Sequence, residues 1–458
     1  MTRRTQLSIG LLAAAVALAG FTYVGSDGPT RPRTRSTPNI ASGTMPGGAP
    51  VAGLAPAPGR PQLAELERLI RAFSEQTTLT PNASGLVFLG RLELERGRLT
   101  GDVASYARAT EALSRAVRLA PTNTEARSLL ASARFTAHDF TGAFDLASEL
   151  YEAEGELAAL AVRGDAALEL GRYERAAEDY RLLAGVAPEA SSTLVRLARL
   201  AFLRGDADEA TRLAADAERA SGSEGAFGAT RAWYAVFRGR LALDAGRLDD
   251  AVAHFGRALR AAPDYHVALT GMAGARTAQG RLDDAIRLYE RAVAAVPDPA
   301  TLAALGDVYT ATGDHRTASD RYATVEAIAT LAAAERRLYD RQLALFRADH
   351  GGDLDEALRV ARDSLETRRD VYGYDTLGWI LYRLGRLDEA REAADAALAL
   401  GTPDPRLWFH AGMISAALGD EVRAREELRR SLALDPRFDV LLAPIARRTL
   451  ASLAGGAA

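Results

Sequence analysis

The 458-residue chain has no cysteine, and it has no lysine either: all 56 basic residues are arginine. Without cysteine there can be no disulfide, no thiolate nucleophile, no cysteine-held zinc and no acylated lipoprotein cysteine. Isoleucine is scarce and β-branched residues are few, which disfavours strands. The six histidines are His138, His254, His266, His315, His350 and His410, and no two stand four apart, so no helical zinc pair is formed. A basic face is also missing. Residues 1–60 hold Arg3, Arg4, Arg31, Arg33, Arg35 and Arg60 against Asp27 alone, which leaves 50 basic and 59 acidic groups in the rest of the chain. Such a mildly acidic body argues against a nucleic-acid partner.

Alanine, leucine, arginine and glutamate dominate instead. These are strong helix formers, and an all-α chain is expected. The length exceeds that of one ordinary globular core, which leaves several domains, one very large domain or a repeat array.

Near the amino terminus, Thr5 to Ser26 carries no charge, and Leu7 to Val24 is nearly all apolar or small. Residues 1–25 read as a secretory signal or a membrane anchor, with membrane association through residues 7–24. Ala17-Leu18-Ala19 fits a small-x-small cleavage pattern, and Arg3-Arg4 faintly resembles a twin-arginine signal. Residues 26–61, rich in Pro, Gly, Ser and Thr, read as a disordered linker. Residues 62–82 read as a capping helix, with an amphipathic stretch over Leu63 to Phe73.

From residue 83 to 437 the chain repeats itself. One segment runs Tyr374, Leu377-Gly378, Leu381, Gly385, Leu387-Asp388 and Ala390, followed by Ala394 and Ala397. The next runs Trp408, Ala411-Gly412, Leu418-Gly419-Asp420, Ala424, Leu428, Ser431 and Pro436. Turn positions fall at His138, Gly171, Gly205, Gly246, Gly280, Gly313, Gly352, Gly385 and Gly419, at spacings of 33, 34, 41, 34, 33, 39, 33 and 34. Gly97 opens a first, irregular unit, which Ala109, Leu113, Ala116 and Pro121 close after an insertion near Thr100 to Ser105. The two long spacings predict extended helices or loops rather than missing repeats. Glycine at a turn can take the positive φ that ends a helix, and Pro263, Pro297 and Pro436 stop the second helix of their units. Residues 438–458 read as a closing helix and tail.

These residues resemble the tetratricopeptide repeat (TPR). The resemblance implies a right-handed superhelical solenoid of about ten helix pairs, in which each apolar face is buried only by stacking on neighbours. It also implies a non-catalytic scaffold that binds a protein or peptide in a concave groove lined by the first helix of each pair. With the N-terminal segment and the alanine–arginine bias of a GC-rich genome, the chain resembles an exported or envelope-anchored bacterial TPR protein. Two other readings are a structural assembly subunit of a membrane complex and, more remotely, a hydrolase using groove residues.

In the repeat frame the groove-facing positions hold Arg199, Phe202, Trp233, Arg240, Asp307, Trp379, Tyr382, Arg383, Phe409 and Met413, densest from Trp379 to Met413. Arginine among aromatics is the mixture expected at a binding hot spot. Trp379 and Phe409 would equally serve to pack neighbouring helices, and Trp408 falls at a core position. The lysine and asparagine positions by which some family members clamp a peptide carboxylate are not reproduced. No catalytic, cofactor or metal constellation is expected. Asp349-His350-Gly351-Gly352-Asp353 reads as a solvated turn, and Asp249-Asp250 and Asp283-Asp284 as helix starts.

Overall fold

A computed structural model describes residues 60–100, 102–225, 228–334 and 340–455. The expected signal or anchor and nearly all of the linker lie outside the described residues. Among the described residues there are 22 helices and no strand, and no helix is long and apolar enough to cross a membrane. A leading helix, Arg60–Leu79, precedes ten helix pairs, and Leu442–Gly455 closes the series. The pairs run from Ala83–Thr100 with Val103–Leu119 to Pro405–Leu418 with Glu421–Leu434.

Size complementarity between small and large residues sets the distance between helices. Phe255, on the second helix of its pair (Leu248–Ala261), is fully buried. A Cβ added at Gly239 would lie 2.7 Å from its ring, and one added at Gly271 would lie 2.2 Å from it. These glycines belong to the first helices of two consecutive pairs, Gly228–Asp244 and His266–Ala278. One ring thus fills the space that two glycines open, and its burial contributes roughly 1.5–3 kcal/mol.

The helix starts use two devices. Asp139, Asp206, Asp353 and Asp420 each cap a second helix by accepting from a backbone N–H three residues on. Where the turn reads Gly-Arg-Leu-Asp, as at Arg247 and Arg281, arginine holds the cap position and makes no side-chain cap bond. The two aspartates that follow lie in the first turn, where the helix dipole favours negative charge.

Two glycine readings are corrected. Gly97 lies inside the helix Ala83–Thr100, where a Cβ would come within 2.6 Å of the Tyr106 ring, so it permits close approach rather than a turn. In the eighth pair it is Gly351, not Gly352, that takes positive φ. Gly352 instead packs on Arg347. His138 holds the left-handed turn conformation at φ 61, in place of the glycine used elsewhere. The two long spacings are extended helices: Ala207–Ser223 and Gly228–Asp244 around the first, His315–Ala334 at the second.

Most first helices of neighbouring pairs touch one another directly, as Gly228–Asp244 does with His266–Ala278 and Val371–Arg383 with Pro405–Leu418, whereas second helices make no comparable contact. The array therefore curves with its first helices inside. The curvature brings the chain back onto itself. The Tyr173 hydroxyl accepts from the Val371 amide at 2.9 Å, 198 residues away. Thr402 Oγ1 donates to the Leu203 carbonyl at 2.7 Å, and an Arg437 guanidinium donates to the Ala278 carbonyl at 3.0 Å. Repeat turns of one coil thus rest against the loops that lead into the first helices of the next.

Candidate interaction surface

Three clusters of buried polar groups lie along the first helices and where the two coils meet. Where the two coils meet, Glu169 is 1 % exposed and pairs with Arg199 on the neighbouring first helix and with Arg368 from the other coil. Burial opposes its ionisation, but Arg368 and Arg199 overcome this and hold the carboxyl at about 2. Arg368 also lies 5.3 Å over the Phe140 ring. His138 stacks on that same ring from the turn. Burial, together with Arg368 and Arg341, pushes the His138 imidazole down to about 3, so it is neutral at physiological pH.

Further along, Asp244 follows Arg240 by one helical turn and faces Asp404 and Asp435 of the other coil. Burial, only partly offset by Arg240 and reinforced by Asp404 and Asp435, pushes its carboxyl up to about 7. Burial also raises Asp404, Asp435 and Asp439 above the usual carboxylate range. Burial is the leading cause at all four carboxyls, and Asp404 and Asp435 add to it at Asp244.

A third cluster joins two consecutive repeats. Asp307 Oδ1 accepts from the Tyr322 hydroxyl at 2.8 Å and lies 2.7 Å from His350 Nε2. His350 Nδ1 lies 2.9 Å from the Phe346 carbonyl. Both ring nitrogens face acceptors, an arrangement suited to imidazolium. Burial works against the charged ring, yet the bond to Asp307 and that carboxylate's charge hold its pKa above the ordinary value. His350 is therefore not the solvated turn residue that the sequence predicts: it ends the helix Asp340–His350 and ties it to the preceding first helix.

The predicted groove residues divide into two groups. Arg240 and Arg383 are exposed. Phe202, Tyr382 and Met413 are half-buried, with Phe202 packed on Ala198 and Leu213. Arg199 and Asp307 belong to the ion pairs described above. Trp233, by contrast, is buried against Val195 and Ala217 and stacks on Phe237. Phe409 is fully buried. Trp379 is 4 % exposed, donates Nε1–H to Asp349 at 2.8 Å and stacks between Tyr382 and His410 at 4.8 and 4.2 Å. The group from Trp379 to Met413 does come together, but its two largest rings face neighbouring helices. Trp408 also sits in the body of the fold, donating to the Thr402 carbonyl at 3.0 Å.

Sequence reasoning missed Glu169, Asp244, Arg368, His350 and the buried pair of His410 with Asp375 at 2.9 Å. Asp244 was within reach, since it stands one turn beyond Arg240 on the same face. Among the described residues no group of three or more histidine or carboxylate side chains is placed to hold a metal ion.

Two family models described as tetratricopeptide repeat match the chain, one over residues 242–306 and the other over residues 162–225 and 376–437. No curated protein matches the sequence. Solved structures that superpose on it include the yeast Tom70, at 12 % identity and a TM-score of 0.37, covering 86 % of this chain and 94 % of that one. The APC/C hetero-tetramer Cut9-Hcn1 gives 15 % identity and 0.32 over 86 % of this chain and 94 % of that chain. A tetratricopeptide repeat protein from Parabacteroides merdae gives 18 % and 0.34 over 58 % and 98 %. All three superpositions are loose. Helix pairs of the expected length, glycine turns at the expected positions and the matched stretches agree: the chain carries tetratricopeptide repeats.

Proposed function

We propose that this chain is a non-catalytic interaction scaffold that holds a protein or peptide segment along its inner face, at a bacterial cell envelope. The observation that carries the reading is the inner first-helix face, on which Arg240, Arg383, Tyr382 and Met413 remain at least partly exposed. The uncharged run from Leu7 to Val24 supports export or anchoring, with the array outside the cytoplasm.

Photo-crosslinkers at Arg240, Tyr382 and Arg383, in cells expressing the full chain, test the reading. One partner captured from all three sites, and not from Leu182 on a second helix, supports it. Equal capture from Leu182, or none from the inner sites, contradicts it. Fractionation of the same cells tests location, and recovery in the cytoplasm would contradict the envelope assignment.

A further inference from the structure

A second candidate surface lies on the opposite side of the array. Because the second helices splay apart, a gap opens between consecutive ones. Between Leu248–Ala261 and Leu282–Ala295 that gap forms a cleft of about 420 Å³. Its floor is apolar: Leu259 and Leu288 are half-buried, and Met272 reaches up from the first helix between them.

The rim is cationic. Arg276, Arg281, Arg287 and Arg291 surround the floor, and the only carboxylate in the lining is Asp284, which Arg281 and Arg287 share. Arg291 reaches Asp264 only at 3.6 Å, and Arg276 donates to the Gln279 amide oxygen at 2.7 Å. The side chains of Arg281, Arg287 and Arg291 are 55 %, 66 % and 56 % exposed. An apolar floor of this size takes one or two side chains, and planar guanidinium forks at its edge match carboxylates.

We propose that this outer cleft docks an acidic peptide segment of another protein, with one apolar side chain on the Leu259–Met272–Leu288 floor and flanking carboxylates on the arginine rim. The chain's own first sixty residues do not suit it, since they carry six arginines against one aspartate. An anionic membrane suits it less well than a peptide does. The floor is recessed between two helices, where a single side chain can enter and a flat surface cannot. The site shares no residue with the inner face and stands or falls separately from the scaffold reading.

The test uses the full chain and a fluorescent peptide with a single leucine among aspartates and glutamates. Two control peptides replace the acids with their amides, or the leucine with serine. Vesicles of phosphatidylglycerol form a further arm. Saturable binding that weakens with salt, and that falls about tenfold with either control peptide, is expected. The double variant R287E/R291E should lose about tenfold as well, and the milder R287Q/R291Q part of that, because exposed charge pairs steer and hold such ligands. Arg181→Glu, exposed on the distant second helix Tyr173–Val186, should leave binding unchanged. Circular dichroism and thermal melting check that the variants fold. No peptide binding, binding indifferent to R287E/R291E and R287Q/R291Q, or capture of the vesicles in preference to the peptide would overturn the proposal.

Discussion

The repeat turns fall into two sets that share a backbone conformation and differ in surroundings. Gly171, Gly205, Gly246, Gly280, Gly313, Gly385 and Gly419 all have positive φ, as their repeat position requires. At the first three, a Cβ would lie 2.3, 3.0 and 2.9 Å from the carbonyl oxygens of Arg369, Gly401 and Leu434. At the last four it would meet nothing within 4 Å. Glycine in the second set is there only to end a helix. In the first set it also lets one coil lie against the next. The same residue type at the same repeat position thus answers two physical demands, and only one of them is local.

Mutations should separate the two sets. The largest effect is expected at Glu169, whose removal leaves Arg199 and Arg368 buried without their shared carboxylate. Glu169→Ala should cost about 3–5 kcal/mol, read as a shift of the denaturation midpoint. Glu389→Ala, beside the open turn at Gly385, breaks an exposed pair with Arg386 and should cost less than about 1 kcal/mol. Next comes glycine itself. Gly385→Ala carries only the left-handed penalty of about 1–2 kcal/mol. Gly171→Ala adds a clash with Arg369 and should cost about 3 kcal/mol. Equal costs at the two glycines would mean that the coils are not in contact. Thr402→Val is smaller again, at about 1 kcal/mol, since it removes one buried hydrogen bond to Leu203.

The smallest effects are those of pH, and the coil contact predicts their signs. The Glu169 carboxyl is depressed from the ordinary 4.5 to about 2, so its contribution is complete above the unfolded value and is lost as pH falls toward 2. Asp244 behaves oppositely. Its carboxyl is raised from 3.8 to about 7, so stability present below the unfolded value is lost as pH rises through 7. His350, also raised, adds a loss on the alkaline side of its unfolded value of 6.5. Thermal melts between pH 5 and 8 should therefore fall for the native chain and fall less for Asp244→Asn. A flat native profile would remove Asp244 from the contact.

The helix-pair rhythm was legible because its causes lie within about one repeat: a glycine ends a helix, a small residue admits a large one, an aspartate caps the next. Misreadings came where one residue type serves two purposes. Gly97 and Gly352 are packing glycines that fall at turn spacing. Trp379 and Phe409 occupy groove-facing positions, but their rings turn toward neighbouring helices. Contacts between coils were not legible at all. Tyr173 meets Val371 only after the small rotations of the intervening repeats have added up, and no local pattern records that sum. The raised carboxyl of Asp244 was lost for the same reason, since burial raises it first and Asp404 and Asp435 on the other coil add to that.

The coil contact can be measured directly, because a chain without cysteine accepts two engineered ones cleanly. Spin labels at Arg204 and Ala399, both exposed and flanking the approach of Gly205 to Gly401, report the separation of the coils by electron–electron double resonance. A single short distance that lengthens in Glu169→Ala is predicted. A broad distribution centred on long distances in the native chain would contradict the closed coil.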